Sequence, residues 1–210
     1  MEYQIVFNSN YKNIMQDRIF VKTPAKINLF LRIINQRNDG YHNIRSGVTF
    51  LDLCDEMSIE VSDTQTIKYS GPFQPLLDIF ENDIIIKTLN SLELATHIKL
   101  NIKIKKNIPT QAGLGSASTN VAGLIKGLTS LGILPKRDNK FLSYLGMDVP
   151  VCLYGNDCLI IGKGDKIYPQ INFPKYYFVL VKPDIHLSTF DMYAKIKNYF
   201  VFDQQNTDQI

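Results

Sequence analysis

The segment from Lys99 to Leu131 constrains the fold of this chain more than any other. Residues 99–106 (KLNIKIKK) alternate strictly, with Leu100, Ile102 and Ile104 on one face and Lys99, Asn101, Lys103 and Lys105 on the other. A period of two predicts a strand buried on one side, with its basic face in solvent. A run of small and polar residues follows: Asn107-Ile108-Pro109-Thr110-Gln111-Ala112-Gly113-Leu114-Gly115-Ser116-Ala117-Ser118-Thr119-Asn120. Val121, Leu124, Ile125, Leu128 and Leu131 then fall at helical spacing. Strand, glycine–serine loop and helix in succession place unbonded backbone N–H groups and the positive end of a helix together, which suits an anion. Ser116, Ser118 and Thr119 add hydroxyls able to bond a phosphate or a metal-bound water. Two known phosphate loops are excluded by residue type. No Gly-Lys-Ser/Thr ends this loop, and position 118 is Ser where a dinucleotide fingerprint needs glycine. The plain alternative is an ordinary turn with a Ser/Thr helix cap.

The flanking chain supplies further elements. Residues 19–34 are rich in branched and aromatic side chains, and Ile27, Leu29 and Leu31 alternate with Lys26, Asn28 and Phe30, which predicts a strand after Pro24. Asn35 to Gly40 is turn chemistry, with Asp39-Gly40 as the corner. Val48 to Val61 reads as short strands around Asp52 and Asp55. Asn82 to Leu94 has helical spacing, with Asn82 as the expected cap. Lys136 to Lys140 is a polar linker, Gly146 to Pro150 a loop or helix start, and residues 151–162 and 176–182 are strand-like. Strands and helices in mixed order predict an α+β fold.

Composition narrows the function classes. A hydrophobic content of 45% with 20% charged residues excludes a disordered tail or a fibre. A formal net charge of +3 is too small to argue for nucleic acid, although the basic face of 99–106 keeps that reading open. Cys54, Cys152 and Cys158 are odd in number and lack metal-site spacing, so they read as small apolar residues in a reducing compartment. No basic-then-apolar leader and no stretch long enough to span a bilayer is present, and the expectation is a cytoplasmic protein without a membrane partner.

Several separated motifs recur in a familiar order. The P-x-x-x-G-L-G-S-x-S pattern at 109–118 resembles the phosphate-binding motif of the GHMP small-molecule kinases. Pro24-Ala25-Lys26-Ile27-Asn28-Leu29-Phe30-Leu31, Asp39-Gly40-Tyr41-His42, Phe50-Leu51-Asp52-Leu53-Cys54-Asp55, Leu145-Gly146-Met147-Asp148-Val149-Pro150-Val151 and Gly162-Lys163-Gly164-Asp165 resemble one branch of that family. The similarity covers roughly residues 20–195.

The resemblance implies the family's N-terminal fold, of the ribosomal protein S5 domain 2-like type, over residues 1–170. Residues 171–210 would be the start of a truncated, ferredoxin-like C-terminal domain, leaving apolar surface that favours self-association. It implies ATP as cofactor, Mg²⁺ brought with the ATP, and phosphorylation of a hydroxyl of a small-molecule substrate, cytidine-diphospho-methylerythritol. Pro109, Thr110, Gln111, Ala112, Gly113, Leu114, Gly115, Ser116, Ala117, Ser118 and Thr119 would hold the nucleotide. Asp148 would accept the hydroxyl proton with Lys26 beside it, an ammonium that keeps the carboxylate ionised and offsets charge on the transferring group. Asn28, Tyr41, His42, Thr189 and Tyr193 would contact the substrate. The resemblance also implies glycine at four positions that here hold Gln111, Ala112, Ser116 and Ala117. Two other readings stand beside this one: a non-catalytic relative that binds nucleotide or a partner, and a nucleic-acid-binding module.

Overall fold

A computed structural model describes residues 18–75, 83–92, 94, 98–169, 173–182 and 192. Its centre is a mixed six-stranded sheet: β1 (Arg18–Gln36), β2 (His42–Ser62), β3 (Thr66–Ser70), β4 (Lys99–Lys105), β5 (Cys158–Gly162) and β6 (Lys166–Tyr168). Among the described residues four helices accompany it, α1 (Ile84–Ser91), α2 (Ser116–Ser130), α3 (Asn139–Leu145) and α4 (Val149–Tyr154). The α+β expectation is met, and β2 is the strand on which the rest is built. One of its edges pairs with β1 from Arg18↔Glu60 to Gln36↔His42. The other edge is shared: Ile44–Val48 pairs with β5, and Glu56–Ser62 pairs with β4. The sheet order is β3-β4-β2-β5-β6, with β3 and β4 parallel and the other neighbours antiparallel.

Several expected boundaries move. The first strand does not wait for Pro24. It starts at Arg18 and runs through the proline, which the ladder absorbs by a register shift between Pro24 and Lys26. Proline lacks an N–H and is tolerated at a bulge on a strand paired along one edge. The short strands expected from 48 to 61 are one strand from His42 to Ser62. Helix α1 is capped by Asp83, whose carboxylate accepts from the N–H groups of Ile85 and Ile86, while Asn82 lies outside the described residues. The first third of the stretch expected as strand over 151–162 is helix α4. Its apolar run Val149, Pro150, Val151 and Cys152 is buried on a short helix, and a brief apolar run does not separate helix from strand. Residues 173–182 are described without strand pairing, and Tyr177 and Val179 are exposed there.

The 99–105 strand forms as expected, with Leu100, Ile102 and Ile104 fully buried. Helix α2 packs on β1 and β2 and shares the core with them. Val121, Leu124, Ile125 and Leu128 join Met57, Ile59 and the β4 residues in the main core, and each such side chain contributes about 1.5–3 kcal/mol by leaving water. The helix lies close to the sheet because two of its residues have no side chain. A Cβ added at Gly123 would sit 2.3 Å from Thr23 Cγ2, and one at Gly127 would sit 2.4 Å from Ile59 Cδ1. Close approach brings Asn120 of α2 within bonding distance of Thr23, whose hydroxyl donates to Asn120 Oδ1 at 2.8 Å. We predict that Gly123→Val lowers the stability of the fold by about 2–3 kcal/mol through overpacking, read as a shift of the urea midpoint without a change in slope.

Candidate active site

A cleft of about 1590 Å³ opens along the loop that joins β4 to α2. Lys26, Asn28, Tyr41, His42, Lys106, residues 109–118 and Asp148 line it, so most of the residues singled out by sequence are brought to one cavity. Thr189 and Tyr193 lie outside the described residues.

At the floor of the cleft is Lys26. The register shift after Pro24 re-aims the strand at this point, a familiar use of a bulge. Its ammonium is 4% exposed as a residue and is bonded to Asp148 Oδ2 at 2.8 Å and to Asn28 Oδ1 at 3.0 Å. An ammonium has three protons, and these contacts use two. Asn28 is held in turn, donating from Nδ2 to Ser46 Oγ at 2.6 Å, and Ser46 donates to the Phe30 carbonyl. Asp148 stands at the N-cap position of α4, where an aspartate ordinarily bonds the helix N–H groups. It makes no such bond; its carboxylate turns to Lys26 instead, and its side chain stays 37% exposed toward the cleft. A helix that gives up its cap leaves that carboxylate for another use.

The loop above them carries backbone that few residues adopt. Gln111, Gly113 and Gly115 all have left-handed φ, at 55°, 72° and 65°. A side chain at Gly113 would meet nothing within 4 Å, so the position opens onto free space in which an anion fits. A side chain at Gly115 would press on Lys26, 3.2 Å from both its Cβ and its Cε. The loop is also tied to the lysine strand, because the Lys26 N–H donates to the Leu114 carbonyl at 2.9 Å. Gly115 is the N-cap residue of α2 and offers no side-chain acceptor, so the first N–H groups of that helix are not capped by it.

The hydroxyls of the loop divide. Ser116 turns down into the protein and donates to Asp55 Oδ2 at 3.1 Å; Thr119 donates to the Ser116 carbonyl at 3.1 Å and is buried. Ser118 is half-buried on the cleft wall, near the glycine that precedes the Asp148 turn: a Cβ at Gly146 would lie 3.8 Å from Ser118 Oγ. Thr110, Gln111, Gly113 and Ala117 are exposed, Pro109 and Ala112 are half-buried, and Leu114 is buried in a small cluster with Ala25 and Ile108.

At the other end, the Arg37–Gly40 turn presents Tyr41 and His42. Arg37 Nε bonds both oxygens of Asp39 at 3.1 Å, and the Tyr41 N–H donates to Asp39 Oδ1 at 3.2 Å. The Arg37 hydrogen bond holds the Asp39 carboxyl below its usual range. Tyr41 is half exposed, and the Lys163 ammonium stands 5.1 Å from its ring centroid. Burial pushes the Cys152 thiol up to about 12 and the Cys158 thiol up to about 11, so neither is a nucleophile at neutral pH. Among the described residues no group of His, Cys, Asp or Glu forms a metal cage, and no helix is long and apolar enough to cross a membrane.

Asp55 and Lys106 were not singled out from sequence as site residues, yet both are buried directly beneath the loop. Lys106 had a signal: it shares parity with Leu100, Ile102 and Ile104 rather than with the solvated lysines, so an inward direction follows from the pleat. Burial lowers its ammonium pKa, and the adjoining Asp55 carboxylate opposes that shift. Tyr69 and Asp83, bonded at 2.6 Å, were missed as well and line the far side of the cleft.

Residues 83–156 match the family described as "GHMP kinases N terminal domain". A protein of Francisella philomiragia named 4-diphosphocytidyl-2-C-methyl-D-erythritol kinase is 40% identical over 172 residues, 79% of this chain and 61% of its own length. A Parvibaculum lavamentivorans protein of the same name is 32% identical over 177 residues, 82% of this chain and 61% of its own. This chain therefore spans about three fifths of the length of these curated relatives. A crystal structure of 4-(cytidine 5'-diphospho)-2C-methyl-D-erythritol kinase superposes with a TM-score of 0.60 at 28% identity, over 74% of this chain and 56% of that one. At 18% identity and a TM-score of 0.51, a putative sugar kinase from Campylobacter jejuni shares the fold.

The left-handed φ at Gln111 generates a prediction about the loop. Gln111→Val, with a β-branched side chain at that φ, lowers stability by about 1–2 kcal/mol more than Gln111→Gly does. Thermal unfolding of the two variants beside the parent checks the order.

Proposed function

We propose, on the premise that this chain carries a GHMP kinase N-terminal domain, that it takes part in ATP-dependent phosphorylation of a hydroxyl of 4-diphosphocytidyl-2-C-methyl-D-erythritol. The observation that carries this reading is the Lys26–Asp148 pair, 2.8 Å apart at the foot of the glycine loop, with the carboxylate open to the cleft. A neutral alcohol is a weak nucleophile and needs a positioned base, and Asp148 has the exposure to reach it.

The loop fits a phosphate chain on the evidence of its backbone. Gly113 opens onto free space, and Gly115 leaves the head of α2 uncapped by any side chain. Residues 109–118 would hold the phosphates, and Mg–ATP, when bound, supplies the phosphoryl group that the alcohol accepts. The metal would arrive with the nucleotide, since the carboxylates of the cleft form no cage of their own among the described residues.

Asp148 takes the hydroxyl proton on a carboxylate oxygen. Lys26 holds that carboxylate in place through its 2.8 Å contact and presents its remaining proton to negative charge that develops near it. Asn28 fixes the lysine's direction, and Ser46 fixes Asn28. Tyr41 offers a ring face to the cytosine and His42 a polar edge beside it. Stacking on Tyr41 meets Lys163, whose ammonium lies over the same ring.

The test is release of ADP by the purified chain with ATP, Mg²⁺ and cytidine-diphospho-methylerythritol. Substrate-dependent release is expected, and Asp148→Asn is expected to reduce it by about 10²–10⁴-fold while ATP affinity is retained. Release that does not depend on the alcohol, or that survives in Asp148→Asn, overturns the proposal.

A further inference from the structure

We propose that Asp55 is the positioning residue of the phosphate loop: a single sealed carboxylate that holds both ends of the loop and sets its anion-binding shape before a ligand arrives. The inference rests on the loop's reading as a nucleotide site and assigns a role to a residue outside that site.

Asp55 lies on β2 with 0% of its surface exposed. Its Oδ1 accepts the N–H groups of Asn107 at 2.7 Å and Ile108 at 2.8 Å, the residues that lead from β4 into the loop. Its Oδ2 accepts the Ser116 hydroxyl at 3.1 Å, from the first residue of α2, where the loop ends. The same oxygen accepts the Lys106 ammonium, which also donates to Ser116 Oγ at 2.5 Å. Asn107 adds a bond from Nδ2 to the Cys54 carbonyl at 2.9 Å, one residue before Asp55. Entry and exit of the loop therefore meet on one side chain.

Two features show why such a clamp matters to ligand binding. Between its two anchored ends the loop holds left-handed φ at Gln111, Gly113 and Gly115. Left-handed backbone at a non-glycine residue, here Gln111, persists only where the surroundings over-determine it. A loop fixed at one end alone would spread over other conformations, and a ligand would then bear the cost of ordering it. The charge arrangement points the same way. A buried carboxylate is tolerated when a counter-charge and further donors satisfy it, and Asp55 has one ammonium, one hydroxyl and two backbone N–H groups. None of these donors faces the cleft through Asp55 itself, which is sealed from solvent and is not a group that touches substrate.

The experiment compares the parent chain with Asp55→Asn, Ser116→Ala and the core variant Ile59→Val. Amide hydrogen exchange is followed without ligand, and Mg–ATP affinity is measured by titration. Asparagine keeps the shape of Asp55 but replaces one acceptor by a donor, so one end of the loop is released. Asp55→Asn is expected to speed exchange at 109–116 by about tenfold relative to β4 and the body of α2, and to weaken ATP affinity by about the same factor. Ile59→Val is expected to leave both loop exchange and affinity unchanged. Loop exchange equal to that of the parent overturns the proposal, as does faster exchange spread evenly over β4 and α2. If Asp55→Asn does not fold, Ser116→Ala releases the exit end alone while the Lys106–Asp55 pair survives. Faster exchange confined to 109–118 in that variant supports the clamp, and unchanged exchange there overturns it. Absence of ATP binding by the parent overturns the nucleotide reading of the loop, and the exchange comparison still decides the role of Asp55.

Discussion

A lysine that is 4% exposed at the bottom of a cleft must have its charge met, and the arrangement around Lys26 follows from that need. Water reaches little of this side chain, so protein oxygens meet the ammonium: the Asp148 carboxylate and the Asn28 amide. Meeting it draws distant segments together. Asp148 comes from the start of α4, Asn28 and Ser46 from two paired strands, and the lysine's own N–H fastens the Leu114 carbonyl of the loop. The glycine at 115 is part of the same constraint, because a side chain there would push against the lysine stem. Sheet, loop and helix are thereby registered on one residue, through its side chain and its backbone N–H.

How far the sequence could be read depended on whether a feature was local. The alternation in 99–105 and the helical spacing from 121 to 131 were legible because pleat and helix turn impose periods that do not depend on partners. The corner at Asp39-Gly40 was legible for a similar reason, and Gly40 has the positive φ, 82°, expected of it. The run through Pro24 was not. Whether a proline breaks a strand depends on whether its missing N–H faces a partner, and only the register with β2 answers that. Likewise Val149–Cys152 is apolar in the way a buried strand is, and its helical state depends on packing against α2 and α3.

The candidate site shows the same division. Lys26, Asp148, Tyr41, His42 and the loop were recognised because their motifs resemble those of a known family, and the structure brings them to one cleft. Spacing alone could not join Lys26 to Asp148 across the length of the fold. Asp55, which closes one of the recurring motifs, and Lys106 were given no site role for a different reason. Each looks like an ordinary charged residue, and a carboxylate's burial is set by long-range pairing that leaves no local mark. Only the parity of Lys106 within its strand betrays the inward direction.

The two lysine–carboxylate pairs of this cleft use one chemistry for opposite ends, and burial decides which. Lys26–Asp148 and Lys106–Asp55 both join an ammonium to a carboxylate, and both lysines are 4% exposed. The carboxylates differ: Asp148 is 37% exposed on its side chain and Asp55 is at 0%. A carboxylate open to the cleft can exchange its lysine contact for a substrate hydroxyl without losing solvation at every oxygen, so it is able to act. A sealed carboxylate with all its lone pairs committed can exchange nothing, since leaving any donor unpaired in the interior costs on the order of 1–3 kcal/mol. It can only hold. A loop with left-handed backbone at the non-glycine Gln111 needs that kind of support, and a proton acceptor needs the other kind. The fold supplies each where it is required, from neighbouring positions on the same sheet and the helix ends above it.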